Sequence, residues 1–169
     1  MIRLPADIHI RTFDESDTEA VIALWRETFP EYNRADKPHR EPRRSIANKV
    51  AMHDGLFFVA VRERKIVGTV MAGYDGHRGW VYSLAVTSAL RRRGVASALL
   101  RHAEAALSER GCLKLNLQVL RQSREALAFY NAHGYAADDV VSLGKRLPFA
   151  AVALRGDDAG ARRRFDTPS

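Results

Sequence analysis

Residues 8 to 13 (Ile-His-Ile-Arg-Thr-Phe) alternate apolar and polar positions, the period of a strand with one buried face. Asp14 to Asp17 then supply a cap and acids suited to a helix N-terminus, and Ala20, Val21, Leu24 and Trp25 recur at helical spacing. After Pro30 comes a polar stretch with Asn33, Asp36 and Pro38, followed by a second short helix from about Glu41 to Met52 that Asp54-Gly55 stops. Leu56 to Arg62 and Ile66 to Tyr74 read as two strands of a hairpin around Glu63-Arg64-Lys65. A glycine-rich connection, Asp75 to Gly79, leads into a strand at 80 to 86, where period two puts Tyr82 on one face with Trp80 and Leu84. The next helix, Val95 to Arg110, groups Val95, Ala98, Leu99, Ala103, Ala106 and Leu107 on one side, and Gly111 ends it. A strand at 113 to 119 follows, then a helix capped by Ser123 with Ala126, Leu127 and Tyr130 facing inward and Gly134 at its end. Val140 to Leu147 reads as a final strand, and residues 150 to 169 as a polar tail.

The junction at 86 to 97 carries chemistry as well as structure. A strand, a basic glycine turn and a helix N-terminus make an anion site, because the first helical N–H groups have no intrahelical partner and carry the positive end of the dipole. The spacing Arg91-x-x-Gly94-x-Ala96 is neither the dinucleotide fingerprint nor a P-loop, so a different pyrophosphate ligand is expected. In isolation, the Arg91 to Arg93 triplet would read as a solvated turn; the adjoining helix start favours anion binding.

This turn, preceded by Leu84-Ala85-Val86, resembles motif A of the GNAT superfamily of acetyl-CoA-dependent N-acyltransferases. A second motif follows in order, Leu117-Gln118-Val119, Ala126 and Phe129-Tyr130-Asn131-Ala132-His133-Gly134-Tyr135. With Val67 to Gly79 and the ending Ser142 to Leu147, the chain is most similar to the small bacterial YpeA-type GNAT proteins over roughly residues 8 to 147. The resemblance implies an α/β fold with a single mixed central sheet, a splayed parallel strand pair and helices on both faces. It sets the domain at residues 8 to 149.

The same resemblance implies the site. Acetyl-CoA, the acyl donor, would enter between strands 80 to 86 and 113 to 119, with its thioester oxygen near the Leu84 backbone N–H and its pyrophosphate on the turn. Donor-binding residues are then Leu84, Ala85, Val86, Arg91, Arg92, Arg93, Gly94, Val95, Ala96 and Ser97, with Ser123 where many members carry an asparagine. Tyr130 aligns with the tyrosine that protonates the coenzyme A thiolate; outside this motif pair it would read as a packed aromatic. The histone-acetylating branch has a base glutamate where this chain has Trp80. Tyr82 is the preferred acceptor-side catalytic residue, with Tyr74, Asp75 and His77 as alternatives, and His77 reads first as part of a turn.

Composition narrows the field. A chain of 169 residues is about one domain. The lone Cys112 excludes an internal disulfide and has no Cys-x-x-Cys partner, and the six histidines show no paired metal spacing, so no metal is expected. Neither a leader nor an apolar run of membrane length is evident, which places the protein in the cytoplasm and off the membrane. The formal charge of +7 comes from 22 Arg and 5 Lys scattered along the chain, with no aromatic RNA motif or basic helix, which argues against nucleic acid. The main reading is an acetyl-CoA-dependent N-acetyltransferase in which an amine of unknown identity attacks directly in a ternary complex. The alternatives are a non-catalytic acyl-CoA sensor or a basic nucleic-acid-associated protein. A homodimer completing the acceptor pocket stays open.

Overall fold

The structure, a computed structural model, describes residues 4–33, 41–145 and 147. Met1–Tyr135 form one compact unit and Ala136–Ser169 a second. In the first, β1 (Ile8–Thr12), α1 (Thr18–Thr28), α2 (Pro42–Ala51), β2 (Phe57–Arg62), β3 (Lys65–Tyr74), β4 (Gly79–Val86), α3 (Val95–Ser108), β5 (Leu115–Asn116) and α4 (Arg124–Ala132) follow in chain order. The sheet runs β1-β2-β3-β4-β5, antiparallel until the parallel β4–β5 pair. This is the mixed sheet with one parallel pair that the sequence led us to expect.

Local chemistry explains the elements. Asp14 accepts from the Ser16 N–H while Asp17 accepts from the Asp14 N–H, a capping box ahead of α1, and Arg11 grips Asp17 through two bonds of 2.6 and 2.8 Å. Glu41 caps α2 through the Arg43 and Arg44 N–H groups, with Pro42 in the first helical position, where a missing N–H costs nothing. The β2–β3 turn is two residues, not three: Glu63 and Arg64 both take positive φ, 48° and 64°, and Lys65 already pairs with Arg62. That is the twist-matched hairpin geometry.

Alternation along β2 sorts two cores. Phe58 and Ala60 join Val70, Ala72, Val81 and Val86 under α3, whose Val95, Leu99, Leu100, Ala103 and Leu107 are buried there. Phe57, Val59 and Val61 join Met71 and Ala85 under α1 and α2. Every residue of β2 but the last is buried because helices cover both faces. Leu100 thus belongs to the α3 face, whereas Ala98 and Ala106 are only half-buried.

Three expectations are corrected. The strand expected at 113–119 shrinks to Leu115–Asn116, because its ladder with β4 holds only Gly79↔Leu115 and Trp80↔Asn116 before the chains part. Ser123 occupies the N-cap position of α4 but makes no side-chain cap bond, and Leu127 faces solvent, so α4 has no buried residue. Val140 to Leu147 is not a strand at its described residues, 140–145 and 147: alternation makes a strand only where a ladder partner exists, and Val140, Val141, Leu143 and Leu147 are exposed. The tail at 150–169, and Asp36 and Pro38, lie outside the described residues.

One buried chain of hydrogen bonds crosses the second core. Trp25 Nε1 donates to Thr69 Oγ1 at 2.8 Å, and Thr69 Oγ1 donates to the Ser83 carbonyl at 3.0 Å; Trp25 and Thr69 have no exposed surface. Thr69→Val keeps the volume but strands the Trp25 N–H, so unfolding free energy should fall by about 2–3 kcal/mol, measured as a lower denaturant midpoint at unchanged m-value.

Candidate active site

The site begins where the sheet opens. Beyond Trp80↔Asn116, residues 81–84 of β4 and 117–120 form facing walls of a cavity of about 890 Å³, within the range of small-molecule sites. Tyr130 and Ser123 close it from α4, and Phe29, Tyr32 and Lys49 from the α1–α2 side. Register sets the upper wall: Thr69 faces Ala85 and Met71 faces Tyr82, so Ser83 and Leu84 stand opposite the single residue Val70. This is a β-bulge, and Ser83 sits in it at φ 48°.

The bulge overturns the period-two expectation for β4. Tyr82 shares the α1–α2 side with its partner Met71, but Leu84 turns to the α3 side with Val81. A bulge inserts one residue and so reverses the facing of everything after it. Left-handed backbone at a serine costs about 1–2 kcal/mol, and the local bonds oppose that cost: Thr69 holds the Ser83 carbonyl and Tyr32 Oη meets Ser83 Oγ at 2.8 Å. The inserted residue drops out of the ladder, and Ser83 and Leu84 both line the cavity.

Two phenols in the cavity are shifted from their ordinary range. Tyr130, between the rings of Phe129 and Tyr135 at 5.1 and 5.6 Å, has its phenol pushed up to about 12 by burial. Tyr82 is raised too, by burial first and then by the charge of Asp75. Both are therefore neutral hydroxyls at physiological pH. Asp75 is lowered because it accepts the Arg78 and His77 N–H groups at 2.7 and 2.8 Å, which makes the His77 segment a turn. Tyr74 Oη donates to the Gly76 and Gly111 carbonyls. Of the four acceptor-side candidates, only Tyr82 lines the cavity.

The anion turn lies at the far end of β4. Gly94 takes φ 83° just before Val95 opens α3, and the first backbone bond of that helix runs from the Ala98 N–H to the Gly94 carbonyl. The preceding N–H groups have no intrahelical acceptor, and no acid occupies the first turn of α3 to neutralise its dipole. Arg91, Arg92 and Arg93 are exposed, and Arg92 stands 3.9 Å from Glu125. Thus Leu84, Tyr82, Ser123 and Tyr130 meet in the cavity, while Arg91 to Ser97 form the separate turn. Ala85 and Val86 bury their side chains in opposite cores, leaving only backbone for a ligand. Cys112 is half-buried, its Sγ donating to the Lys114 carbonyl at 3.2 Å.

A family model for the acetyltransferase (GNAT) family matches residues 18–135. The chain belongs to the GNAT family. Solved structures agree in fold: Ard1 from Thermoplasma volcanium is similar at 24% identity and TM-score 0.68, over 78% of this chain and 84% of that one. A transcriptional regulator from Bacillus halodurans C-125 is similar at 25% identity and TM-score 0.66, over 84% and 99%. The PaiA N-acetyltransferase from Thermoplasma acidophilum, in complex with coenzyme A, is similar at 19% identity and TM-score 0.65, over 79% and 92%. Among the described residues, no cluster of three or more His, Cys, Asp or Glu side chains could hold a metal, and no helix is long and apolar enough to cross a membrane.

On its α1–α2 side the cavity of this GNAT chain holds groups that sequence reading missed. Tyr32 and Lys49 reach the cavity from segments far from the motifs, and Lys49 Nζ pairs with Asp54 at 2.6 Å while also donating to the Ala72 carbonyl. Thr28 Oγ1, in the same wall, is buried without a hydrogen-bond partner. No local spacing marks these residues, because the contacts that matter are long-range.

The Tyr130 shift has a pH signature. Its folded-state value of about 12 lies above the free 10.0, so its contribution to stability is whole below pH 10 and is lost as pH rises through 12. Tyr130→Phe should therefore flatten the alkaline fall in stability across that window, measured by denaturant unfolding at stepped pH.

Proposed function

We propose that the chain is an acetyl-CoA-dependent N-acetyltransferase of YpeA type, in which an amine attacks the thioester directly in a ternary complex. The observation that carries this reading is the parting of β4 from β5 after Trp80↔Asn116, beside a bulge at Ser83–Leu84 and a neutral tyrosine. A pantetheine arm fits that gap as an extended strand, and the backbone N–H at Leu84 suits an oxyanion donor, which needs no polar side chain. Gly94 and the open N–H groups through Ser97 suit the pyrophosphate, with the arginines adding long-range attraction.

Each step has a group suited to it. The amine, held near the bulge, forms a C–N bond to the thioester carbon; the oxyanion rests on backbone N–H; collapse breaks the C–S bond and releases thiolate. Tyr130 gives that thiolate its proton. A phenol at about 12 is a weaker acid than a free thiol, but the same burial that raises Tyr130 raises the thiol, which narrows the gap between them. Tyr82, neutral and 48% exposed at the mouth, suits relay of the amine proton to water rather than its storage. The acceptor is an amine reached from the α1–α2 side, and cytoplasmic placement goes with the donor's supply.

Calorimetric titration with acetyl-CoA, with ATP as control, tests the donor site: binding of acetyl-CoA alone is expected, and binding of neither ligand refutes the reading. Thiol release that depends on added amine separates an enzyme from a non-catalytic acyl-CoA sensor, an alternative that the similarity to a transcriptional regulator keeps in view. Tyr130→Phe should lower turnover by about 100-fold while the calorimetric affinity for acetyl-CoA stays within about threefold of the parent.

The turn gives a second comparison. Gly94→Val forces a branched side chain into left-handed backbone at φ 83° and toward the phosphate, so donor affinity should drop at least about tenfold. Arg92→Ala removes an exposed charge and should cost no more than about fivefold. Equal affinities for the two variants would shift the weight from backbone to guanidinium.

A further inference from the structure

The helix that carries Tyr130 is held by little. None of the nine residues of α4 is buried and Ser123 makes no side-chain cap, and helices this short are marginal without tertiary ties. Phe129, Tyr130 and Tyr135 pack partly buried against the α3-side core. Among the described residues two directional ties reach α3: His133 Nε2 meets Ser97 Oγ at 2.9 Å, and Tyr135 Oη donates to Glu104 at 2.8 Å. Ser97 and Glu104 lie about two turns apart on one face of α3. The exposed Arg92–Glu125 pair, at 3.9 Å, adds little.

The imidazole's hydrogen bonds have a fixed direction. Nδ1 stands 2.8 Å from the Phe129 carbonyl, which can only accept, so Nδ1 carries the hydrogen. In the neutral ring Nε2 is then the acceptor, and the Ser97 hydroxyl donates to it. Ser97 is the third residue of α3, inside the turn assigned above to the pyrophosphate. His133 lies one turn beyond Tyr130. A single imidazole thus joins the first turn of α3 to the end of α4 that bears the phenol.

We infer that His133 is a positioning residue that couples occupancy of the α3 N-terminus by the nucleotide half of coenzyme A to the docking of α4, and so to the placement of the Tyr130 hydroxyl. This rests on the donor-site reading. A pyrophosphate settling on the open N–H groups orders the first turn and fixes Ser97; the Ser97–His133 bond passes that order to the C-terminal end of α4.

The probe is 3′-phospho-ADP, which has the pyrophosphate but lacks the pantetheine arm and so cannot reach Tyr130. Saturating the full-length protein with it should slow hydrogen exchange of the α4 amides about fivefold, the worth of one neutral hydrogen bond. In His133→Asn, whose side chain is too short to span to Ser97, the slowing should vanish although calorimetry shows the probe still bound. His133→Gln, which presents an acceptor at longer reach, should restore it. Slowing that persists in His133→Asn, or fails in the parent with the probe bound, overturns the coupling alone. Failure of the probe and of acetyl-CoA to bind the parent overturns the donor-site reading and the coupling with it.

Discussion

Ser83 holds a left-handed conformation in the middle of a strand, and the buried path from Trp25 through Thr69 to the Ser83 carbonyl is what keeps it there. Everything at the candidate site follows from that constraint. With the extra residue in place, the alternation of β4 shifts phase between Tyr82 and Ala85, so one strand presents a phenol to the α1–α2 side and Leu84 to the α3 side. Tyr32 adds a second hold on the same residue from beyond α1. The indole N–H and the Ser83 carbonyl both bond the Thr69 hydroxyl, and in a buried setting an unsatisfied member is costly, so the arrangement is close to all-or-none.

Rigid and loosely held parts divide the chemistry. The bulge and the start of α3 rest on two packed cores, which hold their backbone in place. Tyr130 instead rides on α4, which has no buried residue and belongs to the low-stability end of the fold. That contrast suits an enzyme that must admit a long thioester into an opened sheet and afterwards release the thiol. Burial raises both phenols, so Tyr82 and Tyr130 are neutral hydroxyls at physiological pH.

Much of this was legible in residues 8 to 135. The amphipathic spacing of Val95, Leu99, Ala103 and Leu107 marked α3, Gly94 marked its anion-facing start, and the ordered motifs pointed to the family that the family model confirms. Legibility failed where a feature depends on a partner distant in sequence. Strand alternation past Tyr82 was misread because a bulge has no local signature without glycine. The strand at 113 to 119 was overextended because its apolar residues line a gap instead of a ladder, and Ser123 was given a cap bond it does not make.

By itself, then, the sequence determined the order of elements through α4, the faces of the long helices and the composition of the glycine turn before α3, all of which follow from spacing within one or two turns of chain. Tertiary structure alone decided where β4 and β5 separate, which way Tyr82 and Leu84 point, and that His133 reaches Ser97 across two helices. The physical reason is range. Periodicity and capping are set by neighbours a few residues away, whereas a bulge, a splay and an interhelical hydrogen bond are set by groups 14 to 44 residues apart, as Ser83 and Trp25 are from Thr69, and only packing brings these together.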